Sequence, residues 1–279
     1  MKYSYKLDNR GIYQPDTAFE HRNEEYDEST FTTLSNMQSE HFWYVGRHHF
    51  LLKALKQHAI AAKFDLKAID LGGGVGGWIS FLCKNYPHFS KLALGDSSEV
   101  ALYGAQKILP SSVELYHSDL MNLGWKEEWD IIFLLDVLEH CPNDQEILHQ
   151  IKMALKPGGL LIITTPALMA FWSPNDVQAK HLRRYNISDF KKLAEKTNFQ
   201  TLDSRYFMFL LSPLYLLSRL YLSTISSEQK LKEAIKAEHK VPPSFVNRIL
   251  KAIFLLETHI GLNIRFPWGT SLLTILKKP

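Results

Sequence analysis

The sequence predicts an α/β fold, in which a doubly wound, mostly parallel sheet of about seven strands carries helices on both faces. Three observations lead to this prediction. Short apolar runs alternate with segments of helical periodicity from residue 66 to residue 207, the pattern of parallel strands joined by crossover helices. Glycines crowd the stretch after the first run, where a tight turn leads into a helix. Asp70, Asp96, Asp119 and Asp136 each stand at or just past the end of a run, the edge at which such sheets bind ligands.

The predicted elements divide the chain into four parts. Residues 1–65 form an N-terminal arm, loosely structured to about residue 35, and a covering helix that begins near Glu40, because apolar residues then recur at helical spacing. Residues 66–207 form the core, residues 208–265 a helical insertion rich in Leu, Ile and Phe, and residues 266–279 the last core strand and a tail. The predicted strands are 67–71, 91–96, 113–117, 129–136, 160–165, 199–207 and 269–276, and the predicted core helices are 78–85, 100–109, 144–155 and 188–197.

Composition excludes some classes of protein. The net charge of the 279 residues is only +3, so no general basic field for nucleic acid is present. Two cysteines without a C-x-x-C pair argue against a disulfide framework or a zinc site and predict a reducing, cytoplasmic location. The N-terminus has no apolar signal region, and the most apolar stretch, 206–217, is shorter than the ~20 residues of a membrane span.

The glycine stretch fits two ligand templates. Gly72, Gly74 and Gly77 satisfy G-x-G-x-x-G, the dinucleotide pattern. Asp70 with Gly72, Gly74 and Gly76 satisfies the acid-x-G-x-G-x-G pattern of enzymes that use S-adenosylmethionine (SAM). A tight turn without a ligand is the third interpretation, and five glycines in six positions argue against it.

The acids help to choose between these cofactors. Asp96, about 20 residues beyond the turn, can accept hydrogen bonds from both ribose hydroxyls of either cofactor. Asp70 beside the first glycine suits the protonated amino group of SAM, whereas it would repel a pyrophosphate. Asp119 stands where it can accept from an adenine amino group. The residues therefore favour SAM.

An ordered set of motifs resembles the class I SAM-dependent methyltransferases. The set comprises Ile69 to Gly76, Asp96, Ser118-Asp119-Leu120, Asp130 to His140 and Leu155 to Gly159. Narrower matches at Glu40 to Arg47, Asp136 to His140, His181 to Tyr185 and Phe266 to Ser271 resemble the broad bacterial UbiE/UbiG-like group. Within this family a Rossmann-like core is expected.

The resemblance implies where the cofactor, SAM or its product S-adenosylhomocysteine, binds. The implied pocket residues in the core are Asp70, Gly72, Gly73, Gly74, Gly76, Asp96, Ser97, Asp119, Leu120 and Asp136. The covering helix is expected to add His41 and Arg47, with Arg47 pairing a carboxylate.

Catalytic and substrate-binding candidates lie after the fourth and fifth predicted strands. His140 is the first candidate for a general base and His181 the second, since an imidazole titrates near neutral pH. The alternative for each is a histidine that caps a helix or orders a loop. Arg183 and Arg184 are expected to hold an anionic substrate, with Tyr185 and Trp172 beside them. The alternative is that one arginine pairs with an acid. No set of residues has the spacing of a metal site, so none is predicted.

These features predict a methyltransferase for a small-molecule or lipid-like acceptor, with methylation on oxygen. The insertion is interpreted as a lid, with an interfacial membrane contact or a dimer interface as alternatives. The chain is expected to be a monomer or homodimer without a nucleic-acid partner. The competing interpretations are a nicotinamide-dependent oxidoreductase and a non-catalytic subunit that keeps the fold.

Overall fold

The computed structural model of the chain describes residues 4–22, 24, 31, 37–58, 65–86, 88–238 and 240–279. The strands are β1 (Tyr5–Leu7), β2 (Ile12–Pro15), β3 (Leu66–Leu71), β4 (Phe89–Asp96), β5 (Glu114–His117), β6 (Trp129–Leu135), β7 (Leu155–Pro166), β8 (Gln200–Phe207) and β9 (Ser271–Lys277). The helices are α1 (Phe42–His58), α2 (Gly77–Asn85), α3 (Glu99–Gln106), α4 (Asp144–Ala154), α5 (Pro174–Gln178), α6 (Ile187–Thr197), α7 (Ser212–Ser223), α8 (Glu228–Glu238) and α9 (Ser244–Ile260), with 3-10 turns at Leu138–His140 and Met169–Phe171.

All the described strands join one sheet in the order β1-β2-β5-β4-β3-β6-β7-β9-β8. The central strands β5, β4, β3, β6 and β7 are parallel, and β9 runs antiparallel to both of its neighbours. The strand order reverses between β3 and β6, so a crevice opens at their carboxyl ends. The predicted doubly wound α/β fold is confirmed.

Apolar cores cover both faces of the sheet, which explains the continuous apolar runs of the central strands. One core packs α1, α2, α3 and α9 against the sheet through side chains such as Phe50, Trp78, Leu102 and Phe254. The other packs α4 and α6 through side chains such as Ile147 and Phe190. With both faces covered, the strand ends remain as the place for a polar site.

The N-terminal arm differs from the prediction. Strands β1 and β2 form an antiparallel hairpin, and β2 pairs in parallel with β5, so the sheet has nine strands instead of about seven. Ile12 is fully buried, and Arg10 contacts Glu99 of α3 at 2.8 Å. The prediction of a loose arm is therefore wrong for these segments; its parts at 1–3, 23, 25–30 and 32–36, and residues 59–64 beyond the covering helix, lie outside the described residues.

Helix α9 of the insertion holds the covering helix α1 in place. The side chain of Phe254 packs directly over Gly46, where a Cβ would collide with the ring. Asn247 satisfies the first turn of α1: its Oδ1 accepts from the Phe42 amide at 2.8 Å, and its Nδ2 donates to the Glu40 carbonyl at 2.9 Å. The insertion and the covering helix therefore form one packed unit.

We expect Phe254→Ala to lower the free energy of unfolding by about 3–5 kcal/mol, because it leaves a cavity between α1, α9 and the sheet. Leu256→Ala on the same helix is the matched control, since Leu256 is 60% exposed; its effect should stay within about 0.5 kcal/mol. Urea denaturation of both variants measures the difference. Equal losses would show that α9 does not anchor the covering helix.

Candidate functional site

The glycine stretch forms the turn between β3 and α2. Gly72 and Gly74 have φ values of +69° and +57°, and a Cβ on Gly72 would lie 2.6 Å from the Val137 side chain. A Cβ on Gly73 would lie 2.7 Å from Oδ2 of Asp70. Because these positions exclude side chains, the backbone of the turn stays open to the crevice.

Gly76 has a different position from the other predicted cofactor glycines. It precedes the first turn of α2 with φ +82°, and a Cβ there would lie 2.8 Å from Leu109. It does not line the cavity described below. Its place in the structure is the tight entry of the helix, and its contact with the cofactor stays a prediction.

Asp70 and Asp96 are buried beside this turn. The two oxygens of Asp96 accept from the amides of Gly74 and Ser98, each at 2.9 Å. Within the described residues, Oδ1 of Asp70 has no hydrogen-bond partner. Burial raises the pKa of Asp70 to about 8; Arg47 opposes this shift, and the nearby carboxylates Asp96 and Asp136 add to it. Asp70 is therefore a buried acid with an unsatisfied oxygen.

Helix α1 lies across the crevice. The Arg47 guanidinium pairs with Asp136 and lies over the rings of Trp43 and Tyr44, at 4.7 and 5.5 Å from their centroids. Asp136 follows β6 with φ +56°, which aims it toward this pair. His41 also lines the crevice, and its Nδ1 accepts from the Trp43 amide at 3.2 Å.

The N-terminal arm reaches the end of the crevice near β5. Arg22 forms a bidentate pair with Asp119 at 2.9 and 3.0 Å, and His21 bonds to the hydroxyl of Ser97 at 2.8 Å. Leu120 lines the same wall. Sequence reasoning missed His21 and Arg22, because the arm showed no strong periodicity and its contacts come from residues about 75 to 100 positions away.

The histidine candidates meet at the opposite end of the crevice. The rings of His140 and His181 pack edge to face with centroids 4.8 Å apart. Nδ1 of His181 lies 2.9 Å from Oδ1 of Asp176. Burial raises the pKa of Asp176, but hydrogen bonds from His181 and Arg184 outweigh it and lower that pKa to about 2. Asp176 therefore stays ionised and orients His181.

Three of the four predicted substrate-binding residues have other roles in the structure. Arg184 lines the cavity but is buried and bonds to Asp176 at 2.7 and 3.1 Å, so its charge is already compensated. Arg183 lies outside the cavity and contacts Asp144 at 3.1 Å. Tyr185 is buried in the core, and its hydroxyl donates to Asp144 at 2.9 Å. Trp172 lines the cavity, and its contact with a substrate stays a prediction.

Glu139 lies close to both histidines. Its side chain is fully buried, and burial together with Asp136 raises its pKa well above the ordinary glutamate value. Ligand atoms of Glu139, His140 and His181 all lie within 4.8 Å of one another. The sequence predicts no such set, because 41 positions separate His181 from His140.

A single cavity of about 1780 Å³ connects these groups. It extends from Asp119 past Asp70 and Gly72–Gly74 to His140 and His181, and continues between α5, α7 and α8. Typical ligand pockets measure roughly 300–1,000 Å³. The cavity therefore has room for two molecules side by side.

Comparison with known proteins identifies the family. A family model described as a methyltransferase domain matches residues 40–204. The chain belongs to this family. The methyltransferase is of class I, with SAM as the family's cofactor, and this match decides between the two cofactors that the glycine pattern allowed.

The relatives of this chain are distant in sequence. A sterol 24-C-methyltransferase of Gibberella zeae is 22% identical over 143 residues, which cover 50% of this chain and 37% of that protein. A probable SAM-dependent methyltransferase of Mycolicibacterium smegmatis is 21% identical over 175 residues, or 62% of this chain and 65% of that one. Haemonchus contortus phosphoethanolamine N-methyltransferase 2 in complex with SAM has a TM-score of 0.59 at 16% identity, covering 96% of this chain and 62% of that chain. The chain spans less than two thirds of each, and the solved structure establishes likeness of fold alone.

The residues of the crevice fit SAM. The unsatisfied Oδ1 of Asp70 offers an acceptor for an ammonium group, and the open backbone at Gly72–Gly74 leaves space for a ligand against the turn. Each oxygen of Asp96 has accepted one amide hydrogen bond, and a carboxylate oxygen can accept a second. These groups could hold the amino-acid and ribose parts of the cofactor.

We expect Asp70→Asn to stabilise the protein without ligand at neutral and higher pH. An acid whose pKa rises from 3.8 to about 8 on folding binds its proton more tightly when folded, so its stabilising contribution is full below about pH 4 and is lost as pH rises through about pH 8. The asparagine of the variant does not ionise, so the variant does not lose stability in this way as the pH rises. Its free energy of unfolding at pH 8 should exceed the wild-type value by on the order of a few kcal/mol.

Denaturant titrations at pH 5 and pH 8 measure this difference. Glu195→Gln, which removes an exposed carboxylate on α6, is the control and should leave the pH dependence unchanged. A steeper pH dependence in Asp70→Asn than in the wild type would contradict the assignment of Asp70 as the unsatisfied buried acid.

Proposed function

We propose that the protein transfers the methyl group of SAM to an oxygen atom of a small, lipid-like acceptor. The observation that carries this proposal is the shared cavity, in which His140 and His181 stand beyond the glycine turn and Asp70. When bound, SAM supplies a methyl group already activated on a positively charged sulfur. The protein then has to align the acceptor, exclude water and assist loss of the acceptor's proton.

In this proposal the cofactor lies along the carboxyl ends of β3, β4 and β5. Asp70 accepts hydrogen bonds from the ammonium group, and Asp96 accepts hydrogen bonds from the ribose hydroxyls. Gly72, Gly73 and Gly74 have no side chains, so the ligand lies against their backbone. Asp119, Ser97 and Leu120 contact the adenine. Arg22, which pairs with Asp119 in the structure, moves away or stays beside the base. Arg47, held by Asp136, and His41 close the pocket. This placement puts the methyl end toward β6 and the histidines.

His140 and His181 face the acceptor and promote loss of its proton. A hydroxyl or carboxylic acid needs such assistance, since its oxygen attacks best without the proton. The contact between His181 and Asp176 at 2.9 Å supports this role, because an ionised carboxylate fixes the orientation of the ring. Trp172 supplies an apolar wall beside the acceptor.

The lipid-like character of the acceptor is inferred from the insertion. Its side chains Leu211, Leu214, Leu231 and Ile235 line the far part of the cavity, so we interpret residues 208–265 as a lid over an apolar molecule. Leu217, Leu220 and Tyr221 expose 56–64% of their surface nearby and suit contact with a lipid surface. Among the described residues, no helix has both the length and the apolarity to span a membrane. The sterol methyltransferase among the relatives acts on a lipid, though on carbon.

A cytoplasmic location is part of the same proposal. Cys83 and Cys141 form no disulfide bond with each other, which suits a reducing compartment. Contact with a lipid surface from that side requires no membrane span.

We expect isotope-labelled SAM to methylate alkylphenols and alkyl carboxylic acids on oxygen and to leave matched alkylamines unmodified. KM should fall with chain length, since each buried methylene contributes about 0.8 kcal/mol. Leu214→Ser should weaken that dependence, because Leu214 lines the cavity. Leu217→Ser is the matched control: Leu217 lies outside the cavity lining and is 63% exposed.

Mass spectrometry of the products identifies the methylated atom, and initial rates give KM. Methylated amines, or a KM that is indifferent to chain length in the wild type, would contradict the proposed acceptor. Equal effects of the two serine variants would contradict the placement of the acceptor under α7. Complete inactivity with intact cofactor binding would favour a non-catalytic role.

A further inference from the structure

We propose that Glu139, His140 and His181 bind a divalent transition-metal ion that holds the acceptor's oxygen. This inference deepens the proposed function and rests on it, because it states how the two histidines act. The three residues come from the 3-10 turn after β6 and from the loop that follows α5. Their ligand atoms lie within 4.8 Å of one another, on the wall of the cavity that the acceptor would occupy.

The carboxylate of Glu139 is the first reason to place an ion here. Its side chain is fully buried, and within the described residues neither of its oxygens has a hydrogen-bond partner. Buried carboxyl groups nearly always have partners, since desolvation without one is costly. The neighbouring cations Arg47 and Arg184 bond to Asp136 and Asp176 instead. A cation bound between Glu139 and the imidazoles would satisfy this acid.

The second reason is the support behind His181. Its Nδ1 is bonded to Asp176, which leaves Nε2 as the ring nitrogen for an ion. Asp176 is in turn held by Arg184 and by the Ser173 amide at 2.9 Å. A carboxylate behind a metal-bound histidine fixes the ring and increases its basicity. This chain of contacts is of the kind that orients a ligand.

The donor set points to the class of ion. Two imidazoles and one carboxylate suit ions such as Mn²⁺, Fe²⁺, Co²⁺ or Zn²⁺, and such three-ligand sites leave positions open for water or substrate. With bond lengths of about 2.0–2.2 Å, ligand atoms stand roughly 3–4 Å apart. Side-chain rotations of Glu139 and His140 would shorten the separations seen here, which reach up to 4.8 Å, to that range.

An ion in this place defines the acceptor further. The oxygen of a hydroxyl group would fill an open position and lose its proton to solvent, since a metal ion lowers the pKa of a bound oxygen. That oxygen then forms the bond to the methyl carbon as the carbon–sulfur bond breaks. The bonding electron pair stays on sulfur, so the products are the methyl ether and neutral S-adenosylhomocysteine. The acceptor class is therefore a hydroxyl compound, above all one with a second oxygen that can also bind the ion.

The test uses the full chain after treatment with a chelator and desalting. Mn²⁺ binding is followed by electron paramagnetic resonance, Zn²⁺ binding by calorimetry, and S-adenosylhomocysteine binding is measured on the same samples. We expect one ion per chain, and a loss of affinity of more than about 100-fold in Glu139→Gln, which keeps the side-chain shape. Asp176→Asn, which alters the support of His181 but removes no ligand of the ion, should lose about 10- to 100-fold.

Glu146→Gln and His149→Gln on α4 are the matched controls, since they remove the same two kinds of group outside the cavity. They should bind the ion as the wild type does. If the wild type binds S-adenosylhomocysteine but neither ion, or if Glu139→Gln binds the ion equally well, the metal proposal is overturned while the proposed function stands. If the wild type does not bind S-adenosylhomocysteine, the proposed function itself fails. Retained S-adenosylhomocysteine binding in Glu139→Gln shows that the variant is folded.

Discussion

The crowding of three carboxyl groups at the reversal point of the sheet is the constraint on which the site depends. Parallel strands with apolar bodies place their carboxyl ends together, and Asp70, Asp96 and Asp136 occupy those ends. Their mutual repulsion and loss of hydration are offset in part by Arg47 and by backbone amides of the glycine turn. Within the described residues Oδ1 of Asp70 has no partner, so a cationic ligand bound beside it would favour the ionised form and lower the raised pKa of Asp70.

The covering helix connects this charge balance to the rest of the chain. Arg47 reaches Asp136 only because α1 lies across the strand ends, and α9 holds α1 there through Phe254 and Asn247. The helices that line the far part of the cavity belong to the same insertion as α9. In the proposed function, therefore, the segment that shapes the acceptor site also supports the helix that closes the cofactor site.

The sequence predicted those parts of the fold that depend on local patterns. Apolar runs ended by acids identified β3, β4 and β6, and the glycines identified the turn. The hairpin β1–β2 was missed because its strands are short, half-exposed and stabilised by pairing with β5, about 100 residues away. The sequence did not show which way the side chains of adjacent residues point. Arg184 points inward and pairs with Asp176, whereas Arg183 points outward and pairs with Asp144. Glu139 gave no signal, since its meeting with His181 depends on the tertiary fold.

Calorimetric titration with S-adenosylhomocysteine, on the wild type and on Asp96→Asn, tests whether the cofactor binds along the strand ends. We expect micromolar binding by the wild type and a loss of about 10- to 100-fold in the variant, the value of a hydrogen bond to a charged group. We also expect that NADH does not compete. Absence of S-adenosylhomocysteine binding by the folded wild type, or equal affinity in Asp96→Asn, would contradict the placement of the cofactor along the strand ends.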